Sequence, residues 1–349
     1  MVNKKNYLLY RGAAVLAGAT IGIGFFSLPL TVFRFGLGKS LVAYLAALAV
    51  MLCLNIFYSR LVLAASGDHQ LAGYGKIYLG KRGFFLGSLV MIVSLYGALL
   101  AYLVKFGQMI NFFIPRVREE FWLAALLLLA VVLVKRGIKS IARLSSLLNI
   151  ALVAALIGAL LFALPYFSFS SFFISGTDKM AFIKVMGIFF FSLSGTAVIP
   201  EVEETMRLSR EKLTAAIVLG TLFPALLYLF FIFEIIGVCA PDISEEAVLC
   251  FQGVSPLALF LGSFSLLTAI ITSFLSLSFS LREFWHRDLG FSFEKAAWLT
   301  FLPLIIFYAL GARSFLDILS FSGGISTLLL SWLIFDSYYH YRLRLRKKG

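Results

Sequence analysis

Long apolar runs separated by short polar segments make up most of this 349-residue chain. The runs are mostly 20 residues or longer without strict alternation, whereas membrane β-strands alternate over about ten residues. About 20 apolar residues are enough for a helix to cross a bilayer. The pattern therefore predicts an all-α integral membrane protein with ten spans, at residues 10–36, 40–66, 84–114, 121–135, 144–166, 181–205, 211–239, 256–282, 296–312 and 315–339.

Two of these spans contain helix-weakening residues. The first has three glycines in GATIGIG before Pro29, and the sixth has the stretch SLSG before Pro200. The two spans open the two halves of one domain covering 1–349, with repeat one at 10–166 and repeat two at 181–339. Since five spans is an odd number, the second half is expected to be inverted. Interruptions at corresponding places of an inverted repeat indicate a binding site near the middle of the membrane.

An interrupted helix in lipid needs a cavity or ligand for its free backbone groups. Amides near Gly22 and Gly24 would face an anion. The carbonyls of Thr20, Phe191 and Ser192 would face a cation or an ammonium group. An α-amino acid carries both charges. The candidate substrate-binding residues are Thr20, Ile21, Gly22, Ile23, Gly24, Phe191, Ser192, Ser194 and Gly195. Phe191, with Tyr96 or Tyr102, would give a wall suited to neutral apolar or aromatic substrates.

Simpler explanations exist for both interruptions. Gly18 and Gly22 form a GxxxG pair, a common packing motif between membrane helices. Ser192 and Ser194 hydroxyls could bond back to their own helix. The occurrence of a break in both halves favours the binding-site interpretation.

Composition agrees with a membrane protein, because 61% of residues are hydrophobic and only 13% are charged. The net charge of +13 does not indicate a nucleic-acid partner, since no soluble basic surface is predicted. With the N-terminus inside, 22 Lys and Arg residues are cytoplasmic and 7 are outside. This bias predicts a multi-pass protein of the cell membrane with both termini cytoplasmic. Cys239 and Cys250 flank a predicted outer loop, where a disulfide and two free thiols both fit.

Ionisable residues within the spans are functional candidates. Lys105 lies near the predicted outer face and is expected to snorkel to the interface, and Glu234 is expected to be interfacial. Glu201 follows the break in the sixth span. It could act as an inner gate or proton site, or lie at the interface near Arg207 or Arg210.

The stretches IGIGFFSLP, FFFSLSGTAVIPEVEE and AIITSFLSLSFSLREFW resemble the first, sixth and eighth helices of the amino acid and auxin permeases. The resemblance is strongest to the bacterial aromatic amino acid permease branch of the amino acid, polyamine and organocation superfamily. It covers nearly the whole chain. It implies a transport core of ten helices.

The eighth span places a carbonyl and two hydroxyls on adjacent parts of one helical face. The resemblance to sodium-coupled relatives implies a bound sodium ion, with no other cofactor, at Gly18, Ile21, Ala269, Thr272 and Ser273. Proton-coupled relatives also look like this at TSFL, so sodium and proton coupling both remain open.

These features predict a symporter that moves a neutral L-amino acid by alternating access. The expected partners are that small molecule and the lipid bilayer, while oligomeric state is left open. A membrane sensor with the same pocket is the alternative. An enzyme is excluded, because the predicted helices carry no set of His, Asp and Glu residues suited to catalysis.

Overall fold

A computed structural model describes residues 4–65, 68–136, 138–173, 180–206, 209–311 and 314–346. Within these ranges the chain is helical and contains no strand, which confirms the all-α prediction. The α-helices are α1 (Lys4–Thr20), α2 (Leu28–Phe35), α3 (Leu37–Ala64), α4 (Leu71–Phe113), α5 (Glu119–Arg136), α6 (Ile138–Ala163), α7 (Phe182–Ser192), α8 (Ile199–Met206), α9 (Arg210–Cys239), α10 (Pro256–Glu283), α11 (Phe293–Ala309) and α12 (Phe315–Arg346).

Eight of the predicted spans are long and apolar enough to cross a membrane. In the described part of the chain these are seven single stretches, one of which (Phe182–Glu204) joins α7 to α8, and one bent pair, Leu8–Thr20 with Ile23–Phe35. The predicted fourth and ninth spans are α5 and α11, with 18 and 17 residues. At 1.5 Å per residue they are about 27 and about 26 Å long, slightly short of the hydrocarbon thickness. The count of ten spans therefore stays a prediction.

Both predicted breaks are present. The first span stops being α-helical at Ile21 and Gly22, continues as a 3-10 turn at Ile23–Ser27, and bends by 53°. The sixth span is interrupted at residues 193–195 and continues through a 3-10 turn at Thr196–Val198. Pro29 and Pro200 each occupy the second position of the helix that follows. Proline fits there because the first turn of a helix needs no N–H donor.

The helix contacts are symmetric between the two halves. If each span of the first half is exchanged for the corresponding span of the second half, the same contacts result. The third span, α4, packs against the tenth, α12, while the eighth, α10, packs against the fifth, α6. The second and seventh spans, α3 and α9, pack against each other. This pairing agrees with the expected inverted repeat of residues 10–166 and 181–339, which remains a prediction.

The helix of the third span, α4, begins earlier than predicted. It starts at Leu71, and Gly80, with φ 65°, kinks it before the membrane-crossing part. Residues 71–79 thus form a short helix in the segment 67–83 that the sequence placed between two spans. Only glycine adopts this φ readily, so one residue accounts for the change of direction.

The loop between α9 and α10 makes two contacts that the sequence had not determined, a disulfide and an ion pair. A disulfide joins Cys239 to Cys250, with their Cα atoms 5.9 Å apart. Lys105 does not snorkel: its side chain is 1% exposed and its Nζ lies 2.6 Å from Glu246 Oε1. The prediction was wrong because the loop carries acidic residues back onto the end of α4. Glu234, predicted to be interfacial, is also buried.

Some sequence predictions concern positions that the structure leaves undescribed. Ser66 and Ala312, the predicted ends of two spans, lie outside the described residues. So do several basic residues that entered the orientation count, either entirely or in their side chains: Lys4, Lys5, Lys139, Arg143, Lys179, Arg207, Arg313, Lys347 and Lys348.

Candidate functional site

The two breaks border one cavity of about 80 Å³. Of the nine predicted substrate-binding residues, seven line this cavity: Thr20, Gly22, Gly24, Phe191, Ser192, Ser194 and Gly195. Ile23 is buried in the core beside it, and Ile21 lines a second cavity instead. Ser194 is the exposed member of the set.

The two breaks come into close contact at Gly24, which has no side chain to hold them apart. A Cβ on Gly24 would lie 2.8 Å from Phe191 Cδ1 and 3.1 Å from Ser192 Cα, so only glycine allows the contact. Gly18 packs against the Asn149 side chain of α6. The close approach at Gly18 thus matches the packing explanation, whereas Gly24 brings the two broken helices together at the cavity.

The Thr20 carbonyl does not match its predicted role. It accepts hydrogen bonds from Gly22 N at 2.8 Å and from Tyr228 Oη of α9 at 2.8 Å. Both lone pairs of this oxygen are therefore used in this structure, which leaves none for the predicted contact with a substrate ammonium group. Thr20 still borders the cavity. The α9 tyrosine stabilises the free end of α1, a function that sequence reasoning did not assign.

The second break is supported by side chains. Thr196 Oγ1 donates to Asn55 Oδ1 of α3 at 2.7 Å, and Asn55 Nδ2 donates to Thr221 Oγ1 of α9 at 3.2 Å. Ser192 Oγ bonds back to Ile188 O at 2.9 Å, as the simpler explanation for that serine expected. Sequence reasoning missed Asn55, although a lone amide inside an apolar span is a recognisable signal.

Aromatic side chains complete part of the wall. Tyr102 lines the cavity, and its hydroxyl contacts Ser273 and the backbone of Ile23. Tyr96, the other tyrosine considered from sequence, donates instead to the carbonyl of Leu299. Of the two, Tyr102 therefore forms the wall together with Phe191.

A second cavity, of about 810 Å³, lies beside the first. It is lined by three of the predicted sodium ligands, Gly18, Ile21 and Thr272. Ser273 Oγ lies 3.5 Å from Ile21 O, so α10 and the broken first span bring two candidate oxygens together. The fifth candidate, the Ala269 carbonyl, lies 3.2 Å from Thr272 Oγ1.

The two cavities share a wall. Ala19, at the end of α1, and Val198, just after the second break, line both of them. Candidate substrate and ion positions are thus separated by residues of the two breaks.

Glu201 is buried within the protein, where it lines the second cavity. Its Oε1 accepts from Gln70 Nε2 at 3.0 Å and from Ser280 Oγ at 2.9 Å, while Oε2 is buried without a hydrogen-bond partner among the described residues. Gln70 lines the first cavity, and Glu201 and Ser280 line the second. The interfacial alternative near Arg207 or Arg210 stays a prediction, and Arg207 itself lies outside the described residues.

The sequence profile of the tryptophan/tyrosine permease family matches residues 5–347 of the chain. The chain belongs to this family. The permease is therefore a multi-pass membrane transporter and not an enzyme, and the resemblance seen in the sequence is confirmed.

Individual relatives are more distant. The permease is 25% identical to tyrosine-specific transport system 1 of Haemophilus influenzae over 332 residues, covering 88% of this chain and 82% of the relative. It is 23% identical to glutamine transporter 2 of Aliivibrio fischeri over 347 residues, covering 93% and 87%.

A solved structure shows the same fold. Mhp1, a nucleobase-cation-symport-1 family transporter in a closed conformation with bromovinylhydantoin bound, superposes with a TM-score of 0.67. The match covers 89% of this chain and 74% of Mhp1 at 16% identity. At that identity the similarity establishes the fold alone.

Proposed function

We propose that this permease is a secondary active symporter of neutral L-amino acids. The observation that carries the proposal is the contact between two broken helices around one cavity. Helix ends at a break leave amides and carbonyls without helical partners, which suits a ligand with one negative and one positive group. The named substrates of the two relatives, tyrosine and glutamine, are neutral amino acids.

In the proposed complex the substrate carboxylate faces the amides near Gly22 and Gly24. The ammonium group faces the carbonyls of Phe191 and Ser192, without Thr20. Ser194 and Gly195 border the same space. Gly22, like Gly24, has no room for a side chain, because a Cβ there would overlap Tyr102. This lets the backbone itself approach the substrate.

Sodium is the proposed coupling ion, with the oxygens of Gly18, Ile21, Ala269, Thr272 and Ser273 as its ligands. Support comes from the 3.5 Å separation of Ser273 Oγ and Ile21 O, which joins the two elements that would hold the ion. A cation at this place would link the break in the first span to α10.

Proton coupling through Glu201 is the second candidate. Its support is the buried, unpartnered Oε2 of a carboxylate that contacts both α4 and α10. A buried carboxylate without a partner for one oxygen is costly, so gain of a proton there would stabilise it. In either case Glu201 is proposed as an inner gate, because Gln70 and Ser280 tie α8 to the helices around it.

We further propose that residues 1–349 act as one transport domain in which the halves 10–166 and 181–339 give alternating access. The placement of both termini in the cytoplasm is supported by the positive charge bias and by the disulfide. Disulfides persist in oxidising compartments, so the Cys239–Cys250 bond supports an outer position for the loop between α9 and α10.

The test is uptake of labelled amino acids by liposomes that contain the purified permease. We expect accumulation of neutral amino acids driven by an inward sodium gradient and lost when choline replaces sodium. Uptake indifferent to choline but abolished by a protonophore would establish the proton alternative. Saturable binding with neither uptake nor exchange would instead identify a sensor and overturn the transport proposal.

A further inference from the structure

Three polar atoms on the wall of the first cavity have no hydrogen-bond partner in the described part of the chain. They are Tyr58 Oη of α3, Gln70 Oε1 at the start of α4, and Ser326 Oγ of α12. Their residues are only 2%, 2% and 6% exposed. Buried polar groups are almost always hydrogen-bonded, and an unmade bond is costly. Three such groups on one cavity indicate a ligand that bonds to them.

The orientation of the Gln70 amide is set by its neighbour. Its Nε2 donates to Glu201 Oε1 at 3.0 Å, since a carboxylate oxygen accepts. The carbonyl Oε1 is therefore left as an acceptor for a donor in the cavity. Tyr58 and Ser326 carry hydroxyls, each of which can both donate and accept.

Two of these residues, Ser326 and Gln70, can be placed relative to the breaks. Both lie on the side toward which α7 and α12 run. Lys184 Nζ, near the start of α7, lies 2.7 Å from Asp317 Oδ1, near the start of α12, so the two helices begin at the same side of the molecule. Gly323 of α12 packs against Phe191 beside the second break. Ser326 is three residues further on, about 4.5 Å along the helix.

Glu201, which bonds to Gln70, lies six residues past Gly195, about 10 Å beyond the break in the same direction. The wall between also includes apolar side chains, among them Val90, Met91 and Leu95 of α4. From the breaks the cavity thus runs along an apolar surface toward three unpartnered oxygens.

We propose that Tyr58, Gln70 and Ser326 form a subsite for the tip of the substrate side chain. The preferred substrates are then neutral amino acids whose side chain is apolar along its length and ends in a group that both donates and accepts hydrogen bonds, such as a phenol or a carboxamide. The donor of that group bonds to Gln70 Oε1, and its acceptor receives a bond from Tyr58 or Ser326. This inference rests on the proposed function.

Matched substrate pairs test the proposal. Sites that hydrogen-bond a substrate hydroxyl discriminate strongly against analogues lacking it. With the full-length permease in liposomes, we expect unlabelled L-tyrosine to compete at least about tenfold better than L-phenylalanine, and L-glutamine better than L-methionine. The same order is expected for ligand-induced thermal stabilisation in detergent, which measures binding without transport.

Variants assign the effect to the subsite. Tyr58→Phe and Ser326→Ala should each lower the tyrosine-to-phenylalanine preference severalfold while leaving phenylalanine affinity unchanged. Ser322→Ala is the matched control, because Ser322 lines the same cavity on the same helix but already donates to Ile318 O at 2.6 Å. This control should keep the wild-type preference.

The outcomes separate this inference from the proposed function. Uptake or binding of neutral amino acids with equal preference within each pair would overturn the subsite while leaving transport intact. An unchanged preference in both Tyr58→Phe and Ser326→Ala would do the same. Binding with the predicted preference but without flux would retain the subsite and overturn transport. If none of the four amino acids binds, the subsite is overturned, and uptake of the other neutral amino acids decides the transport proposal.

Discussion

The two breaks are built differently. The first bends its span by 53° and is buried, with Phe25 stacked on Tyr228 at 5.0 Å between ring centroids. The second lies within a 23-residue span, Phe182–Glu204, without a bend of that size, and exposes Ser194. Aromatic stacking and one side-chain hydrogen bond from α9 support the first break, whereas hydrogen bonds from Asn55 of α3 support the second. The comparison teaches that two corresponding helix interruptions can be held by side chains of different helices.

The largest expected effect comes from filling the contact between the breaks. Gly24→Ala would place a methyl group 2.8 Å from Phe191 Cδ1, and overpacking of this kind costs about 1–3 kcal/mol. We expect uptake to fall by about 100-fold at the upper end of that cost. Gly24→Leu should act in the same direction. Gly38→Ala is the control, because nothing lies within 4 Å of its added Cβ. Normal uptake by Gly24→Ala would show that the breaks need no such close contact.

The second-largest effect is expected at the proposed sodium site between the first break and α10. Thr272→Val keeps the side-chain shape but removes one candidate ligand oxygen. The sodium concentration for half-maximal uptake should rise about tenfold, the value of a contact of about 1.4 kcal/mol to a charged group. Thr268→Val is the matched control one turn away, because the hydroxyls of Thr268 and Thr272 both donate back to carbonyls of α10. Equal sodium dependence in the two variants would contradict the proposed ion site.

A smaller effect is expected from the support beneath the first break. Tyr228→Phe removes the donor to the Thr20 carbonyl and should reduce apparent substrate affinity about fivefold, or about 1 kcal/mol. Tyr44→Phe removes a comparable buried bond, which runs from α3 to the Ala225 carbonyl of α9 at 3.0 Å and does not touch the break. It should lower thermal stability without changing affinity. An affinity loss of the same size in both variants would mean that Tyr228 acts only through general stability.

The smallest effect concerns the polar support of the second break. Thr196→Val and Asn55→Ala should be non-additive in thermal unfolding, with a coupling energy of about 1 kcal/mol, because they share one hydrogen bond. Thr196→Val combined with Tyr228→Phe should be additive, since these bonds support different breaks. Strong coupling in this second pair would show that the breaks form a single mechanical unit.

Much of the architecture could be predicted from local sequence. Apolar runs of membrane length predicted the helical fold, and clustered glycine, serine and proline predicted both breaks. The short helix before Gly80 was missed because its sequence lacks a long apolar run. The burial of Lys105 was also missed, since it depends on a loop more than 130 residues away that returns Glu246 to the end of α4.

The residues around the site were predictable only where chemistry and position coincide. Gly24 and Ser194 could be found because they lie within the interruptions themselves. Asn55 and Tyr228 support the breaks from other spans, so no local spacing connects them to Thr196 or Thr20. Contacts of this kind depend on helix packing, which a single sequence does not display.

The shared wall at Ala19 and Val198 has a consequence for energy conversion. If substrate and ion occupy the two cavities, both of them contact Ala19 and Val198. Coupling free energy can then pass through these two residues and need not travel through a relay of distant ones. A change in side-chain volume at either position should therefore alter the factor by which one ligand raises the affinity for the other, and it should do so equally in both directions.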